Sequence, residues 1–439
     1  MACNDVSPAE PDGELRLARA QRGAGGYGPI AADPDGLPFL IPAGFKLRQL
    51  SKAGDQMKGT GVGTVPNALD GMGAFPMSNG DIRLIRNHEM RDGPAQSVPI
   101  GTKPWDALAG GGCTSLQVTV DPQTGEPTLV DEFVSTSGTC VNCAGGSTPW
   151  GSWLTCEETI EGTSSGRLKD HGYVFEIPAS ASSEIDAVSL NAMGRFAHEA
   201  LAVDPVYGHV YQTEDAGNTS GFYRFIPNVL GDLKQGGKLQ MLALDGKPNF
   251  NASASGTGTP TGVPLPASWV DIATPDSVSP TCYSQGAALG GMRFSRLEGC
   301  WWGDNSAYFV ATSGGAVGAG QVWQYRPITA NAGRLVLVFE SPSATVLDAP
   351  DNICVSPRGG LVLCEDGGGT QFLRGLTKQG MIFDFVRAAN PTNATEFAGA
   401  CFSPDGKLLF FNTQGSTNRN GTERGGTFVI WGPWAAGAL

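Results

Sequence analysis

Ser403-Pro-Asp-Gly-Lys-Leu-Leu-Phe-Phe-Asn-Thr-Gln414 is the stretch of the chain that best indicates its fold. A turn built on Pro, Asp and Gly leads into a short apolar strand, and the strand ends on polar side chains. The same pattern occurs five more times, with starts roughly 45 to 100 residues apart, which is the spacing of an internal structural repeat. The other copies are Ser78–Glu89, Thr148–Glu158, Asp204–Asp215, Asp304–Ser313 and Ser356–Asp366.

Six repeats of a turn and a strand predict an all-β fold, a six-bladed β-propeller with irregular loop insertions. Apolar residues at helical spacing are scarce, whereas short β-rich runs are frequent. We expect residues 1–36 to form an N-terminal extension and residues 37–439 a single propeller domain. Gly231–Leu265 is predicted to be a surface loop. The predicted strands are Ile82–Ile85, Leu116–Val120, Tyr173–Ile177, Gly208–Gln212, Ala307–Thr312, Leu335–Phe339, Leu361–Cys364, Leu408–Asn412 and Thr427–Trp431.

The charge balance excludes two classes of partner. The 439 residues include 29 Lys and Arg against 42 Asp and Glu, a net charge of −13. Nucleic acids and anionic membrane surfaces attract basic proteins, so neither is expected to bind. No run approaches the roughly 18 apolar residues that a membrane-spanning helix needs. The first twenty residues do not have the basic and apolar segments of a signal peptide. The acidity is compatible with two explanations, solubility and carboxylate ligands of a metal.

Acidic residues end four of the six repeated strands. In a propeller the innermost strand of each blade lines a central channel, so acids that end these strands would converge on one mouth of the channel. The alternative is that the acids only begin the next polar loop. If they converge, they form a ring of oxygen ligands, and such ligands suit Ca²⁺, Mg²⁺ or ferric iron.

Three clusters could add chemistry to this ring. Cys143 lies beside a Gly pair, and its thiolate would be a soft metal ligand or a nucleophile, or else a buried small side chain. Glu199 follows His198, but the four His of the chain are too few for a His-rich zinc site. Arg296 and Glu298 would share one face of a strand, as an anion site beside a metal or as a plain ion pair.

The ten cysteines leave their pairing open. Three pairs are close enough in sequence to be bridged, but the sequence does not fix the connectivity. These pairs are Cys140 with Cys143, Cys282 with Cys300, and Cys354 with Cys364.

The motifs resemble those of the PhoX-type alkaline phosphatases. The resemblance runs in the same order from about residue 40 to the C-terminus, and its most specific part is Asn142-Cys-Ala-Gly-Gly-Ser-Thr-Pro-Trp-Gly-Ser-Trp-Leu-Thr-Cys-Glu-Glu158. The shorter motifs are Asn87-His-Glu89, Gly194-Arg-Phe-Ala-His-Glu199, Phe294-Ser-Arg-Leu-Glu298, Ala349-Pro-Asp-Asn-Ile353 with Cys364-Glu-Asp366, and Phe402-Ser-Pro-Asp-Gly-Lys407 with Asn412-Thr-Gln414.

The resemblance implies an exported phosphatase, periplasmic or secreted, that hydrolyses small-molecule phosphate monoesters at an iron–calcium cluster at the mouth of a six-bladed propeller. Cys143 would bind iron and belong to the catalytic centre, and Arg296 would hold the substrate phosphate. The remaining metal ligands implied by matching motifs are Glu89, Glu158, Glu199, Glu298, Asp351, Asn352, Glu365 and Glu396. We expect a monomer.

Two other functions are compatible with the same residues. A calcium-dependent lactonase or phosphotriesterase can also be a six-bladed propeller with acid and amide ligands, but it would not need Cys143. A non-catalytic propeller could use the same mouth to bind a partner, and it would have no reason to hold stoichiometric metal.

Overall fold

The computed structural model describes residues 21–22, 25–253, 259–390 and 396–439, and these residues form an all-β fold, as predicted. Each of the nine segments predicted as strands overlaps an observed strand. The strands are β1 Gln21–Arg22, β2 Ile30–Ala32, β3 Phe39–Pro42, β4 Lys46–Lys52, β5 Leu69–Pro76, β6 Ile82–His88, β7 Gly111–Val120, β8 Pro127–Thr139, β9 Asn142–Ser147, β10 Ser152–Glu157, β11 Val174–Pro178, β12 His198–Val203, β13 Val210–Glu214, β14 Phe222–Pro227, β15 Gly237–Leu244, β16 Leu265–Asp271, β17 Leu297–Gly303, β18 Ser306–Ala311, β19 Gln321–Pro327, β20 Gly333–Glu340, β21 Pro350–Val355, β22 Leu361–Glu365, β23 Phe372–Leu376, β24 Met381–Ala388, β25 Phe397–Phe402, β26 Leu408–Gly415 and β27 Arg424–Trp431.

Helices contribute little to this part of the chain. The α-helix α1 spans Cys282–Ala288, and the side chain of Thr281 caps its N-terminus by accepting a hydrogen bond from the Ser284 amide. Within the described ranges, no helix has both the length and the apolar character needed to cross a membrane. Four single-turn 3₁₀ helices span Thr163–Ser165, Asn191–Met193, Leu233–Gln235 and Trp434–Ala436.

The described strands form five sheets, in which most neighbouring strands are consecutive in the chain and pair antiparallel. Two sheets have the orders β5-β6-β7-β8 and β11-β10-β9. A nine-stranded sheet joins β12-β13-β14-β15 through β16 to β20-β19-β18-β17, and a seven-stranded sheet contains β21 to β24 with β1, β2 and β3. The last sheet has the order β25-β26-β27-β4, so Lys46–Lys52 pairs with Arg424–Trp431 and joins the two ends of the chain.

Six strands meet around one axis. Strands β5, β9, β12, β17, β21 and β25, called the inner strands below, contact one another in this order, and β25 contacts β5, which closes the ring. Each inner strand is the first of an antiparallel run of three or four strands, a meander. The hydrophobic core lies between neighbouring meanders, where for example the rings of Phe222 and Phe309 stack at 4.1 Å.

Each inner strand carries a bulge, in which two of its residues lie opposite one residue of the second strand. The two-residue bulges are Asp70-Gly71, Cys143-Ala144, Glu199-Ala200, Glu298-Gly299, Asp351-Asn352 and Gly399-Ala400.

The second residue of each bulge lies at the axis and is small in five of the six strands. These residues line a narrow axial cavity, and Trp301 from β17 contributes to its wall. A Cβ added to Gly71 would lie 2.4 Å from Ala144 Cα, and one added to Gly299 would lie 2.6 Å from the Asp351 carbonyl oxygen. The inner strands approach so closely that a larger side chain would force them apart.

Two expectations are corrected by the fold. Gly231–Leu265, predicted to be a loop, contains the buried strand β15, whose apolar pattern is short and interrupted by polar residues. None of the three suggested cysteine pairs is bridged, because Cys140, Cys143, Cys282, Cys300, Cys354 and Cys364 are all free and buried. The boundary at residue 36 stays a prediction, and within residues 1–36 strand β1 pairs with β24 and strand β2 with β3.

We predict that Gly71→Ala lowers the free energy of unfolding by about 3 kcal/mol, because the new methyl group would overlap the backbone of the neighbouring inner strand. Urea denaturation followed by tryptophan fluorescence measures the change. Gly368→Ala is the matched control, since a Cβ at Gly368 has no atom within 4 Å. Equal stability of the two variants would contradict the proposed close approach.

Candidate metal centre

The first bulge residue of five inner strands is a potential metal ligand. These residues are Asp70, Cys143, Glu199, Glu298 and Asp351, and the sixth inner strand has Gly399 at this place. A bulge points its extra side chain away from the regular alternation of the strand, so each of these side chains is directed to the mouth while its neighbour faces the axis. All five are largely buried, and Asp70, Glu199 and Glu298 are at most 3% exposed.

A second set of acids comes from the ends of the second strands. Glu89, Glu158, Asp215 and Asp366 directly follow β6, β10, β13 and β22. Because the first and second strands run antiparallel, the end of one lies beside the start of the other. The predicted convergence of acids on one mouth is therefore present. The six repeated stretches, however, contain the second strands and not the inner ones, which corrects the prediction that the acids end the innermost strands.

Two groups of ligand atoms are close enough to share a cation each. One ligand atom of each of Cys143, Glu158 and Glu199 lies within 4.8 Å of the others, and the same holds for Glu199, Glu298 and Asp351. Glu199 belongs to both groups and so can bridge two neighbouring cations. One group mixes a thiol with carboxylates, whereas the other contains oxygen atoms only.

The mouth is electrostatically unfavourable for so many carboxylates. Burial, and then the charges of neighbouring acids, raises the pKa of Glu199, Glu298 and Glu396 well above the ordinary range. Burial raises the pKa of Asp70 to about 7, and burial followed by the nearby Glu199 raises the pKa of the Cys143 thiol. A cation bound among these groups would reverse both effects, because it favours the ionised forms.

Two buried carboxylate oxygens at the mouth also fit a metal ion, because they lack hydrogen-bond donors. Among the described residues, the buried Oδ1 atoms of Asp70 and Asp215 have no hydrogen-bond partner. A buried carboxylate oxygen without a donor is costly, and a metal ion would supply the missing interaction. Both residues flank the groups described above, since the charge of Asp70 acts on Glu199 and that of Asp215 on Glu158.

Two arginines lie at the mouth among these acids. Arg296 bonds Asp215 Oδ2 through Nη2 at 3.0 Å and Glu298 Oε1 at 2.6 Å. The predicted pairing of Arg296 with Glu298 is present, although Arg296 precedes β17 with a left-handed backbone (φ 46°) and not by regular strand alternation. Arg91, which the sequence analysis did not select, forms ion pairs with Glu89 and Glu158.

Polar side chains of the second strands hold the bulges in place. Asn87 on β6 donates to the carbonyl oxygens of Cys143 at 3.1 Å and Ala144 at 2.7 Å, so the first meander fixes the bulge of the second. Thr213 donates to the Glu298 carbonyl at 2.6 Å, and Asn412 donates to the Asp70 carbonyl at 2.6 Å. Each of these bonds links one meander to the ligand residue of the next.

Glu365 and its neighbour Asp366 have different partners. Glu365 accepts a hydrogen bond from Arg374 Nε at 2.8 Å and one from the Asp348 amide at 3.0 Å, so its oxygens are used in a buried ion pair. Asp366 instead interacts electrostatically with Arg296 and Arg91. The structure thus brings the next residue, and not Glu365, to the mouth.

The other two residues selected by motif lie beside Asp351. The amide of Asn352 donates to Asp351 and accepts from the Gly399 amide at 2.7 Å. Glu396 precedes β25, and its pKa is raised by burial and by Asp351 and Asp366. Asn352 therefore orients the neighbouring carboxylate, while Glu396 adds to the charge of the cluster.

The missed residues left a signal in the sequence. Three of the repeated strands end on two consecutive acids, Glu157-Glu158, Glu214-Asp215 and Glu365-Asp366. The first acid of each pair binds its own meander: Glu157 contacts His171, Glu214 the Tyr223 hydroxyl, and Glu365 contacts Arg374. Only the second acid reaches the mouth. Asp70 left no such signal, because nothing in Asp70-Gly71 alone indicates a bulge.

Comparison with known proteins identifies one family. The family model described as alkaline phosphatase PhoX matches residues 25–416. None of the curated protein sequences matches the chain.

Several solved structures are similar in outline. A luciferin-regenerating enzyme is 10% identical and has a TM-score of 0.42, with coverage of 89% of this chain and 96% of that one. A gluconolactonase from Xanthomonas campestris is 11% identical with a TM-score of 0.38 and coverage of 85% and 99%. The calcium-binding protein regucalcin from Agrobacterium tumefaciens is 9% identical with a TM-score of 0.40 and coverage of 88% and 96%.

We predict that the chelator-treated protein becomes less stable as the pH rises from about 4 to about 7. The pKa of Asp70 is about 7 in the folded protein against 3.8 ordinarily, so between these values the folded state holds a proton that the unfolded chain releases. Stability is then lost as the pH rises through the folded pKa. Thermal unfolding followed by circular dichroism measures the loss.

In this experiment Asp70→Asn removes one of the titrating groups and should reduce the loss of stability at higher pH. Asp35→Asn, at an exposed position, should leave the loss unchanged. Added Ca²⁺ should stabilise the protein more at the higher pH. An identical pH dependence in Asp70→Asn and the unaltered protein would contradict the electrostatic argument.

Proposed function

Because the chain belongs to the PhoX family of alkaline phosphatases, we propose that it hydrolyses phosphate monoesters at a cluster of iron and calcium ions at the mouth. The observation that carries the proposal is the largely buried group in which Cys143, Glu158 and Glu199 offer ligand atoms within 4.8 Å of one another. Two arginines at the same mouth provide for an anionic substrate.

A six-bladed propeller is part of the proposal. Six meanders, each with an inner strand that touches the next, support this number of blades. In this arrangement β4 completes the last blade, and β16 connects two blades along their outer edges.

The donor atoms divide between the two metals by their chemistry. Cys143, with Glu158 and Glu199, would hold iron, because thiolate and carboxylate together suit iron better than calcium. The oxygen-only ligands around Glu298 and Asp351 would hold calcium, with Glu89, Glu396 and the unsatisfied oxygens of Asp70 and Asp215 nearby. We leave Glu365 out of the set in favour of Asp366. When bound, such ions neutralise the phosphoryl oxygens and lower the pKa of water.

The chain itself binds and orients the substrate. Arg296 would donate two hydrogen bonds to phosphate oxygens, which a guanidinium does in a fixed geometry. Asp215 and Glu298 hold that guanidinium in place. In the overall reaction water forms a bond to phosphorus, the ester P–O bond breaks, and the leaving alkoxide takes a proton from the water.

The calcium-only lactonase or phosphotriesterase and the non-catalytic propeller remain the alternatives. Neither requires a thiol within the carboxylate cluster, and the proximity of Cys143 to Glu158 and Glu199 therefore favours the phosphatase. We also propose that the protein acts as a monomer. Its proposed location outside the cytoplasm is what the family resemblance implies.

The decisive experiment measures metal content and activity together. Protein purified without chelator should contain iron and calcium and should hydrolyse p-nitrophenyl phosphate, and EDTA should abolish both calcium content and turnover. Glu298→Gln should lose most of the activity, because it removes one anionic ligand and one of the two acids that hold Arg296. Metal-free protein with full activity, or metal content unchanged in Glu298→Gln with full activity, would overturn the proposal.

We predict that Cys143→Ser lowers the iron content and the turnover of p-nitrophenyl phosphate by at least about a hundredfold, since the variant lacks the thiolate. Elemental analysis and a steady-state assay measure the two effects. Cys140→Ser is the matched control: it changes a buried free thiol three residues away that belongs to neither ligand group. A Cys143→Ser enzyme that keeps its activity but holds calcium alone would favour the lactonase or phosphotriesterase alternative.

A further inference from the structure

We propose that Arg91 is a second phosphate-binding residue, which with Arg296 makes the mouth selective for the dianionic monoester over the monoanionic diester. This inference rests on the proposed function, because it assigns a substrate preference to the same mouth. It concerns a residue that no sequence motif selected.

Arg91 covers the acidic cluster from the solvent side. Its guanidinium contacts Glu89 and Glu158. The side chain of Arg91 is 46% exposed, whereas those of Glu89 and Glu158 are only 4% and 12% exposed. A substrate that approaches the buried carboxylates and their cations therefore meets this guanidinium first.

Arg296 has the same arrangement on another side of the mouth. Its side chain is 41% exposed and contacts Asp215 and Glu298, which are 10% and 3% exposed. Glu158 and Glu298, which contact Arg91 and Arg296, each have a ligand atom within 4.8 Å of one of Glu199, so the two guanidinium groups face one opening. Both also act electrostatically on Asp366.

Both arginines keep hydrogen-bond donors for a ligand. Arg91 contacts its acids through Nη2, and Arg296 uses Nε and Nη2. Among the described residues, no acceptor bonds Nη1 of either side chain. A guanidinium has five N–H donors, so each arginine can hold its carboxylates and still donate to a phosphate oxygen.

The charge of the substrate determines which ester binds more tightly to Arg91 and Arg296. At alkaline pH a phosphate monoester carries two negative charges, and a diester carries one. Two guanidinium groups at a partly buried mouth favour the doubly charged ester, and removal of one should weaken monoester binding more than diester binding.

The test compares Arg91→Gln and Arg91→Lys with the unaltered, metal-loaded protein. Calorimetry measures the affinity for inorganic phosphate. Kinetics with p-nitrophenyl phosphate and bis(p-nitrophenyl) phosphate measures the preference. We expect Arg91→Gln to weaken phosphate binding and raise the KM for the monoester by about tenfold or more, with less than about a threefold effect on the diester. Arg91→Lys keeps the charge without the planar fork, so its phosphate affinity and monoester KM should lie between those of Arg91→Gln and the unaltered protein.

Arg419→Gln is the matched control, because it also removes one positive charge from an exposed side chain. Arg419 lies in the loop whose Thr417 carbonyl oxygen accepts a hydrogen bond from the Arg91 backbone amide. It should leave phosphate affinity unchanged. Elemental analysis of each variant separates substrate binding from ligand positioning. If Arg91→Gln loses metal in proportion to phosphate binding, Arg91 only orients Glu89 and Glu158, and the proposal is overturned.

Other outcomes separate this proposal from the proposed function. Unchanged phosphate affinity in Arg91→Gln, with unchanged ester preference, overturns the role of Arg91 but leaves a phosphatase. If the unaltered protein binds phosphate through Arg91 but does not hydrolyse the monoester, the proposed function fails and Arg91 remains an anion-binding residue. If the unaltered protein does not bind phosphate, both proposals fail.

Discussion

The close approach of the six inner strands around the axis is the constraint on which the rest of the structure depends. Neighbouring backbones come so near at Gly71 and Gly299 that no Cβ fits between them. The bulges make this approach possible, because each replaces the regular alternation of a strand by two residues with different tasks. In five of the six strands the residue at the axis is small, and in five of them the other residue directs a potential ligand to the mouth. Packing at the axis and ligand geometry at the mouth are therefore set by the same local feature.

This arrangement has an energetic cost, which the surrounding strands offset in part. Burial, and then the charges of neighbouring acids, raises the pKa of Glu199 and Glu298, so the acid-lined mouth opposes folding when no cation is bound. The bonds from Asn87, Thr213 and Asn412 to the bulge carbonyls hold the ligand residues in position without relying on a metal. Because these bonds run from one meander to the next, an error in the packing of one meander would displace the ligand of its neighbour.

Much of the fold, but less of the candidate site, could be predicted from the sequence. Alternating apolar runs and turn residues predicted the strands, because both signals are local. The sequence did not show which strand of each meander lies innermost, because both strands are largely buried and the more apolar one is the second, as in Leu361–Glu365 against Pro350–Val355. The repeated stretches are the second strands, so the prediction placed the converging acids, such as Glu158, on the wrong strand. The inner-strand acids Glu199 and Glu298 were selected by their family motifs, and Asp70 was not selected because a bulge has no local signature.

The different partners of Glu365 and Asp366 show that a local sequence pattern can indicate which of two consecutive acids faces the mouth. Successive residues at a strand end point to opposite sides, so two consecutive acids cannot both reach the mouth. Glu157, Glu214 and Glu365 each bind a group at or beside the third strand of their own meander, and His88, which precedes Glu89, bonds Thr114 on β7 in the same way. The last strand residue thus joins the second strand to the third, and the residue after it is free to serve the mouth. Four meanders follow this rule, and it makes Asp366, and not its neighbour, the residue to examine for a role in the cluster.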